Sequence, residues 1–148
     1  MRLWQLAEPD QLPGLSGEGT KQHGGRWNSP GRPAVYCASS LALAALEVLV
    51  NLPREKRWNG HTPVQSAVEY DVPDDLCKLS GFPGTMPEEK TRPLGDAWLD
   101  SLDCLGLSVP SSVVPLEANV VLNPLHPDMG RVIILRIEPF DFDPRLLD

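Results

Sequence analysis

From Leu41 to Val50 the chain carries nine apolar residues and a single carboxylate, Glu47. Ser39 or Ser40 suits a helix N-cap, and Pro53 closes a helix. The run therefore predicts a helix over roughly 40–51, apolar nearly all round and hence buried. Glu47 shares its surface with Leu43 and Ala44 before it and with Val50 and Asn51 after it. A carboxylate there is costly unless it is paired or hydrogen-bonded. Two readings follow: Glu47 sits at a solvated edge or in a structural ion pair, or it is held for chemistry.

The rest of the chain is cut short by 16 prolines in 148 residues, about twice the usual share. They are scattered, which predicts many loops and turns. Residues 1–6 alternate weakly, as a short strand would. Residues 9–25 read as loop, with Pro9, Pro13 and five glycines. Gly25-Arg26-Trp27-Asn28 leads into a second loop, Ser29-Pro30-Gly31-Arg32-Pro33, and residues 34–38 read as a buried strand. Val64 to Val72 reads as a strand and 73–93 as proline-rich loop. Pro93 suits the first turn of a second helix, with Thr91 as a possible cap. Leu94, Trp98, Leu102 and Leu105 would share its apolar face. Residues 107–115 and 118–122 are strand-like. Asn123-Pro124 and His126-Pro127-Asp128 are turns, and 131–137 is the clearest strand. Regular βαβ alternation is missing, so the expected class is α+β. The length predicts one domain over 1–148, with no repeat or linker.

The formal charge of −7 argues against direct binding of nucleic acid or anionic membrane, which need clustered Lys and Arg. Cys37, Cys77 and Cys104 are odd in number with no close pair, so no disulfide framework is expected and a reducing cytosol fits. The N-terminus lacks a long apolar segment, and no stretch approaches a membrane span. The expected location is the cytoplasm.

Several residues could carry chemistry. Arg26 follows two glycines, which let a backbone approach a ligand, and its guanidinium fork suits phosphate. The alternative is a surface arginine stacked on Trp27. Tyr36 offers a flat ring on a strand beside that loop, in a ligand site or in the core. Ser111 and Ser112 follow Pro110 without a nucleophile elbow around them, which disfavours a serine hydrolase. One hydroxyl could reach a pocket, or bond the local backbone. Gly17-Glu18-Gly19 begins like a dinucleotide fingerprint, but Gln22 stands where the third glycine should be. His23, His61 and His126 lack metal-ligand spacing among themselves or with the cysteines.

Taken in order, Ser16-Gly17-Glu18-Gly19, Gly24-Gly25-Arg26-Trp27-Asn28-Ser29-Pro30-Gly31, Val35-Tyr36 and Ala45-Leu46-Glu47-Val48-Leu49 resemble the RES-domain toxins. These are bacterial toxins of type II toxin–antitoxin pairs, named for an Arg, a Glu and a Ser. Gly95-Asp96-Ala97-Trp98-Leu99, Val109-Pro110-Ser111, Asn123-Pro124 and His126-Pro127 extend the likeness over nearly the whole chain. The resemblance implies an ADP-ribosyltransferase-like fold, a split pair of small β-sheets with helices and an NAD cleft between them. It implies an enzyme that breaks the nicotinamide–ribose bond of NAD and passes ADP-ribose to water, phosphate or a protein. NAD is then a substrate, and no metal is required. The family's Arg, Tyr, Glu and Ser fall on Arg26, Tyr36, Glu47 and Ser111, with Asn28 beside Arg26 in the cofactor-binding set. The implied partner is an Xre-type antitoxin that covers the cleft and brings any contact with DNA.

One position departs from the family. Its first strand commonly ends with an aromatic followed by arginine, whereas here Trp4 is followed by Gln5. Arg2 would point to the opposite strand face. Phosphate binding then rests more on Arg26, or on Gln5 without charge. Two further functions stay open: a transferase specific for one cellular protein, and an inactive module that engages only its antitoxin.

Overall fold

The computed structural model describes residues 1–12, 14–53, 65–79 and 86–147. Seven strands form one mixed sheet. They are β1 (Arg2–Ala7), β2 (Val35–Ala38), β3 (Gln65–Asp71), β4 (Leu76–Lys78), β5 (Gly106–Pro110), β6 (Ala118–Leu122) and β7 (Ile133–Phe140), in the order β4-β5-β6-β2-β1-β3-β7. Among the described strands only β4 and β5 run parallel. Among the described residues the α-helices are α1 (Glu18–His23), α2 (Leu41–Asn51) and α3 (Glu88–Ser101). The class is α+β, as the mixed order of elements implies.

The sheet is nearly divided at its middle. β1 registers with β3 over six consecutive residues, and β2 with β6 over four. Between β1 and β2 a single pair registers, Trp4 opposite Ala38. Two half-sheets, β4-β5-β6-β2 and β1-β3-β7, thus meet at one rung and open a cleft beside it.

Helix α2 bridges the halves on one face. Leu43 and Ala44 pack on Ala38, while Leu41, Ala45, Val48 and Leu49 pack with Leu6 and Ala67. Helix α3 covers the β5–β6 end of the same face, where Trp98 and Leu99 meet Leu107, Val109 and Val121. The other face buries Leu3, Cys37, Val68, Tyr70 and Val120. Because opposed residues on paired strands share a face, this alternation follows from the register.

Several expectations are corrected. Residues 9–25 are not all loop: α1 forms at Glu18–His23. Gly24 ends it at φ 75°, its N–H donating to the Thr20 carbonyl; the glycines bound a helix rather than preclude one. The predicted loop at 73–93 contains β4 and the start of α3, while its residues 80–85 lie outside the description, as does Val64. Helix α3 begins at Glu88, and Pro93 lies inside it. Glu88 and Glu89 occupy its first turn, where the helix dipole favours them. Thr91 is no cap; it is buried and faces inward. The helix stops at Ser101, so Leu102 is exposed and Leu105 joins the core of the opposite face. Helix α2 matches the predicted span, and Ser40 caps it by accepting from the Leu43 N–H at 3.1 Å. It is not buried all round, for Leu46 and Val50 are 40% and 55% exposed. The last strand runs from Ile133 to Phe140, an edge whose residues are mostly exposed.

The cysteines also differ from expectation. Cys77 and Cys104 form a disulfide, with Cα atoms 5.7 Å apart. They are 27 residues apart in sequence and meet because β4 pairs parallel with β5. Cys37 is free and buried, and burial pushes its thiol up to about 12. Burial raises the Tyr36 and Tyr70 hydroxyls in the same direction. The native state then holds protons that the unfolded chain releases, so stability falls as pH rises. The contribution is intact below the unfolded thiol's ordinary pKa, roughly 8.5, and is lost progressively above it. For Cys37 alone the slope approaches about 1.4 kcal/mol per pH unit. Urea midpoints at pH 8 and at about pH 10.5 check this, and Cys37→Ala should flatten the first part of the decline. A wild-type midpoint that holds across that range contradicts it.

Candidate active site

The cleft beside the Trp4–Ala38 rung holds a cavity of about 450 Å³. β1 contributes Trp4 and Gln5, β2 contributes Tyr36, and α2 contributes Glu47 and Val48. The loop before β2 contributes Gly25, Arg26 and Trp27; β5, β6 and the turn between them contribute Val109, Ser112 and Asn119. Arg26 and Glu47, 21 residues apart in sequence, therefore line one cavity.

Glu47 is half-buried and held through one oxygen. Its Oε1 accepts from Ser111 Oγ at 2.6 Å and from Asn119 Nδ2 at 2.7 Å. Ser111 is fully buried, and its Oγ accepts from the N–H groups of Val113 at 3.1 Å and Val114 at 2.9 Å. A serine hydroxyl has two acceptor lone pairs and one proton. Both lone pairs are taken, so the proton goes to Glu47. Glu47 therefore stands in no ion pair among the described residues: its partners are neutral donors. Among the described residues, no hydrogen bond reaches Oε2.

The Arg26 loop is clamped from two sides. On one side stands α3. Thr91 Oγ1 donates to the Arg26 carbonyl, and Arg92 Nε donates to the Gly25 carbonyl at 2.8 Å. Asp96 accepts from the Ser29 N–H at 2.8 Å and from its hydroxyl at 2.6 Å. Gly95 makes this approach possible, because a Cβ there would stand 1.7 Å from the Trp27 carbonyl oxygen. The Arg26 guanidinium donates to the Met86 carbonyl. On the other side stands Tyr36. Its hydroxyl accepts from the Trp27 N–H at 2.9 Å and donates to Asn28 Oδ1 at 2.6 Å. Asn28 is fully buried, and its Nδ2 donates to the carbonyls of Thr20 and Arg32. Tyr36 lines the cavity, and its hydroxyl is bonded into this network. Asn28 and Ser111 do not line the cavity themselves; they are hydrogen-bonded to Tyr36 and Glu47, which do.

Gln5 stands where the half-sheets part, and its Oε1 accepts from the Tyr70 hydroxyl at 2.8 Å. Arg2, on the opposite strand face, pairs with the buried Glu69, whose other oxygen accepts from Arg136. A second cavity, of about 550 Å³, shares Gln5, Thr20 and Tyr36 with the first. Elsewhere, Asp75, His126 and Asp128 bring ligand-capable atoms within 4.8 Å of one another. There His126 Nδ1 accepts from the Asp128 N–H and Asp75 accepts from the Leu105 N–H, so both side chains brace turns. Arg92 and Asn119 were not singled out from the sequence; Thr91 was read there only as a helix cap, and Asp96 only as part of a family-like stretch. Asn119 is the one polar residue of an otherwise apolar strand, Ala118–Leu122.

A mixed sheet split over a cleft, with a helix laid across the split, is an α+β fold also found in a solved toxin–antitoxin complex. The match is to the MbcT–MbcA complex of M. tuberculosis, with a TM-score of 0.73 at 20% identity over 99% of this chain and 86% of that one. At that identity the likeness is one of fold.

The RES domain family matches residues 2–143, and the chain belongs to that family. It is 38% identical over 144 residues to a Sphingobium protein named Prs ADP-ribosylating toxin, covering 90% of this chain and 86% of the relative. It is 36% identical over 141 residues to Toxin Res of Photorhabdus laumondii, covering 89% and 87%. It is 34% identical to Toxin Res of Pseudomonas putida over 99% of both. No helix among the described residues is long and apolar enough to cross a membrane.

Proposed function

We propose that this chain is the toxin of a toxin–antitoxin pair and that it cleaves the nicotinamide–ribose bond of NAD. The observation that carries the reading is Glu47, a carboxylate held at one oxygen by Ser111 and Asn119 and open at the other, in one cavity with Arg26. Cleaving a glycosidic bond builds positive charge on the ribose, and a fixed carboxylate stabilises that charge best where water is scarce. A dinucleotide brings a pyrophosphate, which an acidic chain can hold only at a local guanidinium. Arg26 takes that role. The Tyr36 ring stacks on the nicotinamide, while Asn28 keeps Tyr36 and the Arg26 loop in register. Ser111 fixes Glu47.

The acceptor of ADP-ribose is water, phosphate or a protein side chain. The name of the Sphingobium relative favours the protein-modifying alternative. The partner is an Xre-type antitoxin that covers Arg26 and Glu47 and supplies the contact with DNA. A toxin of charge −7 should itself leave DNA unshifted in a gel assay.

The test is direct. Purified free of its partner, the protein should deplete NAD and release nicotinamide. Added phosphate, or lysate with labelled NAD, identifies the acceptor. NAD that stays intact under all these conditions leaves an inactive module that only binds its antitoxin.

A further inference from the structure

We infer that Asn119 is a second positioning residue for Glu47, and that Ser111 and Asn119 together load Oε1 so that Oε2 is the oxygen presented to the ribose. The inference rests on the proposed NAD cleavage.

Asn119 lies near the start of β6, opposite Ala38 of β2 and Val109 of β5. Opposed residues share a face, so its side chain stands on the same face as the Trp4–Ala38 rung. Ala38 presents only a methyl group, and Leu43 and Ala44 of α2 pack directly on it. That close seat brings Glu47, one turn further along, within reach of β6. Asn119 Nδ2 then donates to Oε1 at 2.7 Å, beside the Ser111 hydroxyl at 2.6 Å.

A carboxylate bonded at one oxygen by a single donor can still rotate about its last torsion. Two donors that converge on the same oxygen, one from β6 and one from the turn after β5, remove that freedom. They direct the unbonded oxygen to one place before substrate arrives, which is what electrostatic preorganisation requires.

The remainder of Asn119 argues that this bond is its purpose. Its Oδ1 is buried with no hydrogen-bond partner among the described residues. A buried acceptor left unpaired destabilises a fold, whereas an apolar residue of the same shape does not. For stability alone, leucine would serve better here.

The test compares Asn119→Leu, Ser111→Ala and the double variant with wild type. Asn119→Leu should remain folded and melt at or above the wild-type temperature. Its kcat should fall by about tenfold to a hundredfold, the range for a misplaced catalytic group, with KM little changed. The double variant should lose less than the product of the single losses, because both donors serve one oxygen. A readout without substrate accompanies this. The Asn119 side-chain amide should give a shifted, exchange-protected NMR signal that disappears in Glu47→Ala.

An Asn119→Leu protein that melts lower while keeping its kcat overturns the inference. So does an amide signal indifferent to Glu47→Ala. A wild-type protein that leaves NAD intact overturns the enzymatic reading and the kinetic role with it, while the amide signal still reports whether the Asn119–Glu47 bond forms.

Discussion

Glu47→Gln is expected to leave a folded protein whose NAD cleavage is slower by about 10²–10³, the usual loss for one well-placed electrostatic group. The amide oxygen of Gln can accept from both Ser111 and Asn119 as Oε1 does now. Packing and hydrogen bonding therefore survive, and only the negative charge is lost. Cells should tolerate its expression, and the variant should still bind its antitoxin. A melting curve beside a turnover assay separates the roles. An unchanged rate in a folded variant ends the catalytic assignment. A large melting loss would instead make Glu47 a structural residue.

Gly95→Ala is expected to have the largest effect on stability. The new Cβ would lie 1.7 Å from the Trp27 carbonyl oxygen, and the next atoms in its way are also backbone. No rotamer change relieves such a clash, so α3 and the Arg26 loop must part. Overpacking of this kind costs about 3 kcal/mol, or roughly 10 °C of melting temperature in a chain of this size. Arg26 moves with the loop, so activity should fall even below the melting transition, since displacement by about 1 Å can cost a hundredfold. Thermal melts and turnover at low temperature check both parts. A variant that melts with the wild type would refute the contact.

The parts of this molecule that could be read beforehand are those whose signal is local. Helix α2 announces itself through an apolar run, a serine cap and a stopping proline, and Glu47 stands out as its one charge. Arg26 and Tyr36 are conspicuous as a cation after two glycines and an aromatic on an adjoining strand. Family likeness pointed to Ser111, and the hydroxyl–carboxylate bond is what the fold adds. The parts that could not be read depend on register and helix phase. Asn119 reaches Glu47 only because β6 pairs with β2 at one particular offset. Thr91 faces Arg26 only because α3 begins five residues before Pro93, so that 91, 95 and 98 share its inner side. Cys77 and Cys104 meet through a parallel strand pair that no spacing rule reveals. The exposure of Leu46 and Val50 depends on how much sheet is available to cover α2, which an apolar run alone does not tell.

The helix laid across the two half-sheets makes Glu47 a passenger on a bridge. Its carboxylate takes its position from both banks: Ser111 and Asn119 belong to the β2 half, while much of the seat of α2, at Leu6 and Ala67, belongs to the β1 half. The banks are joined by one rung of strand pairing. Tilting one bank against the other drags the oxygen relative to its two donors. On the proposed function, a protein that grips a single half-sheet would have, in that tilt, a lever on NAD cleavage without ever entering the cleft.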